Sequence, residues 1–239
     1  MTTPLPASGP VPDPQRPRGL RSRVIPAGVE WWNVTHDTYA GTPFNDSGGG
    51  DARFSPLFDA NGEPVPVLYV AQHPIEAMLE TVFHEVWAGH TKRVRRADLD
   101  GRVLRRLVFN TDVRVVDLGD AELDRHGLER SQIVSTSTEH YDRARAGADL
   151  LLGATVGGQP TAGIGWQSRM VELARASVSP LWQTALVGEQ TDVAVVYQMP
   201  GGIENSEVTI LSTAHLDTGP GFGLVVELAN AVGAFIDSE

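Results

Sequence analysis

Three consecutive glycines precede an arginine in the first quarter of the chain, in the run Gly48-Gly49-Gly50-Asp51-Ala52-Arg53. Backbone N–H groups in such a loop can bind phosphate oxygens, and a guanidinium adds charge and a fork of donors. The pattern therefore suits a pyrophosphate, with Gly50 and Arg53 as binding residues. A flexible surface loop ending in a solvated arginine is the alternative, and in an unrelated sequence it would be favoured.

Three further side chains could act on a ligand beside that loop. Glu80 lies on a helix, away from the apolar side, and either points into a cleft or pairs with His84, a contact worth about 0.2–0.5 kcal/mol. Tyr69 lies in an apolar strand, as a core residue or as a ring beside a ligand. Ser168 ends a short strand with no His–Asp relay near it, so we do not expect a serine nucleophile.

Two other patterns lack the spacing that their chemistry requires. His84 and His90 are six positions apart, whereas two zinc ligands on one helix face are four apart. Gly219, Gly221 and Gly223 form G-x-G-x-G without a βαβ unit around them, which predicts a loop leading into a helix and not a dinucleotide-binding turn.

Composition narrows the class of protein. The 239 residues include no cysteine, which excludes disulfides, iron–sulfur clusters and a cysteine nucleophile, and we expect no metal. A formal net charge of -11 argues against direct binding of nucleic acid or anionic lipid. No apolar run has the roughly 18 residues of a membrane helix. We therefore expect a cytoplasmic protein.

The elements that must position these residues follow from local patterns. Residues 1–22 contain six prolines and are expected to form a disordered arm, followed by one domain over residues 23–239. Strands are predicted over 31–34, 65–71, 103–109, 113–118, 163–166, 193–198 and 208–211. Helices are predicted over 74–86 (with Gly89 as the stop), 141–152 and 222–235, the last with a stripe of Leu224, Val225, Leu228, Val232 and Phe235. Strands and helices do not alternate regularly, which favours an α+β fold.

Four ordered segments together resemble the RES domain family. They are Phe44-Asn45-Asp46-Ser47-Gly48-Gly49-Gly50-Asp51-Ala52-Arg53-Phe54 with Pro56; Val67-Leu68-Tyr69-Val70-Ala71 followed by Ala77 to Glu80; Tyr141, Ala144 and Ala146 ahead of Gly163-Ile164; and Gly165-Trp166-Gln167-Ser168-Arg169. They are similar to the family's F-N-x-S-G-G-x-x-R-F-x-P loop, L-Y-x-A strand, A-x-x-E helix and G-I-x-W-x-S-R element. The resemblance covers roughly residues 24–235.

The resemblance implies a toxin of a toxin–antitoxin pair, with an ADP-ribosyltransferase-like fold in which helices flank a twisted, split β-sheet. Such proteins take NAD+ as substrate and break its nicotinamide–ribose bond by hydrolysis or phosphorolysis. Their partner is an Xre-type antitoxin that covers the active-site cleft in a hetero-oligomer. A few members instead transfer ADP-ribose to a protein.

The resemblance also assigns roles. Glu80 would stabilise positive charge on the ribose and hold its 2′-hydroxyl, and Arg53 would bind the pyrophosphate. Tyr69 would stack on nicotinamide or point its hydroxyl at the ribose. Ser168 would line the cleft opposite Glu80 and bond to the nicotinamide ribose. Arg169 would pair with a phosphate or form a surface salt bridge.

One position departs from the family pattern. The family has an arginine on its first strand, in a stretch like L-W-R-V-H, where this chain has Trp31-Trp32-Asn33-Val34-Thr35. Asn33 can hydrogen-bond to a ligand but supplies neither charge nor a bidentate fork. His36 and Arg23 are the candidates to replace the charge.

Three functions therefore stay open at this stage. The first is an NAD+ glycohydrolase or phosphorylase. The second is a catalytically impaired RES domain that binds a nucleotide or a partner, which Asn33 keeps under consideration. The third is an NAD-dependent mono-ADP-ribosyltransferase that acts on a protein.

Overall fold

The structure, a computed structural model, describes residues 19–39, 41–86, 92–134, 140–168, 170–171, 192–199 and 202–237. Its strands are β1 (Ser22–Ile25), β2 (Glu30–His36), β3 (Val67–Ala71), β4 (Arg93–Arg95), β5 (Arg102–Phe109), β6 (Val113–Asp117), β7 (Thr155–Val156), β8 (Gln159–Pro160), β9 (Gly163–Gln167), β10 (Asp192–Tyr197), β11 (Val208–His215) and β12 (Phe235–Asp237). Its helices are α1 (Pro74–Leu79), α2 (Asp120–Arg125), α3 (Arg130–Ile133), α4 (Tyr141–Leu151) and α5 (Gly219–Val232). Each strand and helix predicted from the sequence has a counterpart here.

Eight of the described strands form one sheet, in the order β1-β6-β9-β10-β3-β2-β5-β11. Neighbouring strands are antiparallel except for β6 and β9, which are parallel. Two small sheets accompany it, a parallel β4–β12 pair and a β7–β8 hairpin. Because most neighbours are antiparallel and helices gather on one face, the predicted α+β class is confirmed.

The large sheet opens between β2 and β3. β2 pairs with β5 along its whole length, from Glu30 to His36. It meets β3 at a single pair, Trp32 and Ala71. Beyond that pair the side chain of Asn33 spans the gap, since its Nδ2 donates to the Tyr69 carbonyl at 2.8 Å. Beyond the single backbone pair, β2 and β3 are thus joined by the Asn33 side chain.

Each face of the sheet buries its own apolar cluster. The helical face packs side chains from four helices against the strands, including Leu79, Leu123, Leu151, Val225 and Leu228. The opposite face buries Trp31, Leu68, Val70, Leu107 and Val196, and is covered by loop residues such as Phe44 and Ile203. Alternate residues of one strand therefore serve the two clusters, as the period of two requires.

The helix after β3 is shorter than predicted. Its α-helical part ends at Leu79, and a 3-10 turn at His84–Val86 follows. The Thr81 hydroxyl donates to the Ala77 carbonyl at 2.7 Å, which is the acceptor that the Thr81 N–H would use in a continuing helix. The predicted helix over 74–86 is therefore wrong beyond Leu79, and Gly89 lies outside the described residues. The break leaves Glu80 at the helix end.

The last helix also differs at both ends. It begins at Gly219 and stops at Gly233, whose φ of 68° is left-handed and favours glycine. Val225, Leu228 and Val232 are buried as predicted, but Leu224 is 36% exposed. Phe235 lies in β12, beside Arg93 of β4, and is 53% exposed. Gly221 explains part of the G-x-G-x-G run: a Cβ there would lie 2.1 Å from the His215 carbonyl oxygen, so the helix packs directly on the end of β11.

Candidate active site

A cleft of about 550 Å³ lies where the sheet splits. One wall is β2 from Trp32 to His36, and the facing wall includes Tyr69 and Glu80. The volume falls within the roughly 300–1,000 Å³ of small-molecule sites. The aromatic residues along the cleft are Trp32, Tyr39, Tyr69, Tyr141 and Trp166. Its ionisable residues are His36, Asp51, Arg53, Glu80, His84 and Arg102, besides the tyrosines.

Glu80 is bonded from behind by Ser168. The Ser168 hydroxyl donates to Glu80 Oε1 at 2.5 Å and accepts from the Val171 N–H at 3.3 Å. Ser168 is 2% exposed and does not line the cleft, whereas Glu80 does. The hydroxyl thus fixes the carboxylate from the side away from the cleft, and Ser168 does not face Glu80 across the cleft as expected. Neither described bond of Ser168 is to an imidazole, so the geometry offers no activation of a serine nucleophile.

Two tyrosines hold the backbone next to Arg53. The Tyr69 hydroxyl accepts from the Phe54 N–H at 3.1 Å and lies 3.2 Å from Ser55 Oγ. The Tyr197 hydroxyl donates to the Phe54 carbonyl at 2.8 Å. Both polar groups of Phe54 are therefore fixed from the sheet, which places Arg53 at the cleft wall.

The Tyr69 hydroxyl is committed to this loop and not directed at a ligand. Burial raises its pKa to about 12, against the weaker lowering by its Ser55 and Phe54 hydrogen bonds. The phenol stays protonated near neutral pH and does not serve as a base there. Its ring packs edge-on against Trp166, with centroids 6.5 Å apart.

Arg53 packs among aromatic rings. Its guanidinium carbon is 5.7 Å from the Tyr141 ring centroid and 6.0 Å from that of Phe54. Its Nε is shielded from water and has no hydrogen-bond partner among the described residues. A buried donor without a partner costs about 1–3 kcal/mol, which an acceptor on a ligand would offset.

The glycine-rich loop is partly satisfied by its own side chains. Asn45 Oδ1 accepts from the Ser47 N–H at 3.0 Å, and Ser47 Oγ accepts from the Gly49 N–H at 3.0 Å. These two backbone N–H groups are therefore already bonded within the loop and are not free to bind a phosphate. Gly50 lines the cleft with a φ of 98°, a conformation that favours glycine. Arg145 ties the following Asp51 to α4 through an ion pair of 2.6 Å.

The Asn33 side chain makes a hydrogen bond to the neighbouring strand and also has a buried oxygen without a described partner. It lines the cleft at 5% exposure, donates to the Tyr69 carbonyl, and has no described partner for its buried Oδ1. Arg23 does not replace the missing charge, because it pairs with Asp192 at 2.5 Å and lies over Gly165, outside the cleft. His36 does line the cleft.

A comparison of the sequence with models of protein families identifies its family. The sequence model of the RES domain matches residues 30–187, more than half of the chain. The chain belongs to the RES domain family. The match includes Asn33, Arg53, Tyr69, Glu80 and Ser168.

A solved structure shows the same fold. It is the crystal structure of the M. tuberculosis MbcT-MbcA toxin-antitoxin complex, one chain of which aligns with a TM-score of 0.50 and 15% sequence identity. The alignment covers 84% of this RES domain chain and 89% of that chain. No curated protein sequence matches. No helix in the described ranges is long and apolar enough to cross a bilayer.

Some predicted residues fall outside what the structure describes. Arg169 is one, and His90 of the rejected zinc pattern is another. Among the described residues no group of three or more His, Asp or Glu side chains could hold a metal ion.

Several cleft residues of this RES domain were not assigned to the site from the sequence. Tyr141 and Trp166 stand within the motif segments, but their positions beside Arg53 and Tyr69 depend on packing between α4, β9 and the loop. His84 reaches the cleft because the helix breaks before it. Arg102 reaches it because β5 pairs with β2. Membership of the motif segments was the one indication in the sequence that Tyr141 and Trp166 belong to the site.

Proposed function

We propose that this RES domain binds NAD+ in the cleft and breaks its nicotinamide–ribose bond. The observation that carries the proposal is the Glu80 carboxylate, exposed to the cleft and held from behind by the buried Ser168 hydroxyl at 2.5 Å. A carboxylate with this support keeps one orientation, as electrostatic stabilisation of a transition state requires.

The chemistry needs such a carboxylate. The bond between C1′ and the pyridinium nitrogen breaks, and nicotinamide leaves as a neutral molecule with that electron pair. The ribose then has oxocarbenium character, with positive charge shared by C1′ and the ring oxygen. Glu80 stabilises that charge and accepts from the 2′-hydroxyl. Water, which loses a proton, or phosphate forms the new bond to C1′.

The other cleft residues suit the rest of a dinucleotide. Trp32 and Tyr69 offer aromatic surface to a planar base. Arg53, with its shielded Nε lacking a described partner, donates to a phosphate or ribose oxygen. Gly50 lets the loop backbone approach the pyrophosphate. Ser168 acts as a positioning residue, and Asn33 contributes hydrogen bonding without charge.

The biological setting forms part of the proposal. The structure with the shared fold is that of a toxin–antitoxin complex. We infer that this RES domain is likewise a toxin that acts in the cytoplasm, paired with an Xre-type antitoxin that covers the cleft. Co-purification of an antitoxin encoded beside it, together with loss of NAD+ cleavage in the complex, tests this pairing.

Nicotinamide release tests the reaction. Purified protein is incubated with NAD+, with and without phosphate, and products are separated by liquid chromatography. We expect free nicotinamide with ADP-ribose, or with a phosphorylated ADP-ribose when phosphate is the acceptor. Release that requires an added protein and labels it would indicate ADP-ribosyl transfer. No release at high enzyme concentration would leave only a binding role.

A further inference from the structure

An exposed arginine lies at one edge of the cleft. Arg102 begins β5 and lines the cleft. No carboxylate of the described residues forms a salt bridge with it. Arg145, beside the glycine-rich loop, contrasts with it because Asp51 and Asp142 both neutralise it. In a protein of net charge -11, an unpaired arginine at a cleft is a local attraction for an anion.

His36 stands next to this arginine. The two residues are directly opposite each other in the antiparallel β2–β5 pair, so their side chains lie on one face with Cβ atoms about 4.5–5.5 Å apart. His36 also lines the cleft and is 43% exposed. Its Nδ1 accepts from the Thr38 N–H at 3.3 Å and lies 3.0 Å from Asp37 Oδ1. Arg102 is the member of the pair with which no described carboxylate forms an ion pair.

The turn before β5 is shaped around the histidine. Gly101 has a φ of 64°, and a Cβ there would lie 2.4 Å from His36 Nε2. Only a glycine both adopts this turn and leaves room for the imidazole. The pair is thus fixed by the backbone at the cleft edge.

We propose that Arg102 binds the diphosphate of the substrate. This inference rests on the proposed function and names the substrate contact that Asn33 does not supply. His36 is three residues beyond Asn33 on β2, about 10 Å at 3.3–3.4 Å per residue. Asn33 is bonded to Tyr69, in the strand that leads into the Glu80 helix. On this proposal the diphosphate lies at the His36 end of β2, about that distance along the strand from the bond between Asn33 and Tyr69.

The first test measures binding without turnover. ADP, a diphosphate that cannot release nicotinamide, is titrated by calorimetry into wild-type protein, Arg102→Gln and Arg106→Gln. Arg106 is the matched control, since it is on the same strand, pairs with Glu30 and lies outside the cleft. We expect Arg102→Gln to weaken ADP binding roughly five- to tenfold, as for a charge-assisted contact that stays partly in water. The salt dependence of binding should also become shallower, and Arg106→Gln should match wild type.

The second test uses substrates with and without phosphates. Arg102→Gln should lower kcat/KM for NAD+ by a similar factor through KM, while kcat/KM for nicotinamide riboside stays unchanged. ADP binding that depends on Arg102 without any nicotinamide release would support the subsite and refute the proposed function. The inference would be overturned if ADP did not bind, or if wild type and Arg102→Gln bound ADP equally well. Equal losses of ADP affinity in both arginine variants, or an unchanged preference for NAD+ over the riboside in Arg102→Gln, would also overturn it.

Discussion

Replacing Ser168 by alanine separates positioning from catalysis. The hydroxyl donates to a charged acceptor at 2.5 Å and is 2% exposed, and a hydrogen bond to a charged group is worth about 1.5–3 kcal/mol. If that energy serves to hold Glu80 for the transition state, kcat falls roughly 10- to 150-fold at 1.36 kcal/mol per factor of ten. KM should change little, because Ser168 does not line the cleft.

The same change also removes the acceptor of the Val171 N–H, so some stability is lost. An unsatisfied buried donor costs about 1–3 kcal/mol. Thr161→Val is the matched control: Thr161 is 3% exposed, its hydroxyl donates to the Ala154 carbonyl at 2.8 Å, and it does not line the cleft. It should lower the melting temperature comparably and leave the rate of nicotinamide release intact. Wild-type kcat in Ser168→Ala, or equal kcat losses in both variants, would refute the positioning role.

Two further changes probe the surroundings of the site, and a third probes a buried glutamate outside the cleft. Tyr69→Phe removes the acceptor of the Phe54 N–H, so the loop that carries Arg53 loosens and kcat/KM for NAD+ should fall roughly tenfold. An unchanged kcat/KM would show that the hydroxyl is dispensable. Asn33→Arg puts a larger, charged side chain into a site that is 5% exposed; urea unfolding should show a loss of about 1–3 kcal/mol, and a gain in both stability and activity would contradict the packing argument. The hydrogen bond from Arg125 is the main cause that lowers the pKa of Glu122 from 4.5 to about 2. The stability that the charged Glu122 gives the folded protein is therefore complete above pH 4.5 and is lost as the pH falls towards 2. Glu122→Gln should therefore be less stable than wild type at pH 7 by urea unfolding, with a smaller difference at pH 3; a constant difference would refute this.

The elements were predictable where local pattern decides them. Alternating or continuous apolar residues gave β3, β5, β6 and β10 within a residue or two of their bounds. The helix after β3 could not be bounded, because Val82, Phe83 and Val86 continue the helical spacing beyond the point where Thr81 takes the Ala77 carbonyl. Phe235 was misplaced because its strand forms only by pairing with Arg93, far away in sequence.

The site was predictable in its members but not in its geometry. Motif segments indicated Glu80, Arg53, Tyr69 and Ser168, yet the hydrogen bond between Ser168 and Glu80 joins residues 88 positions apart. The bonds of the Tyr69 hydroxyl to the Phe54 loop likewise depend on tertiary packing. No local pattern distinguishes a serine that faces a ligand from one that supports a carboxylate.

The most direct test compares nicotinamide release by wild-type protein, Glu80→Gln and Glu227→Gln. Glu227 is an exposed glutamate of α5 outside the cleft and controls for the loss of one charge. With NAD+ in a proton NMR time course, Glu80→Gln should be slower by a factor of at least about 10²–10³, the usual loss for a group that stabilises transition-state charge, and Glu227→Gln should match wild type. Unaltered release by a folded Glu80→Gln protein would contradict the account.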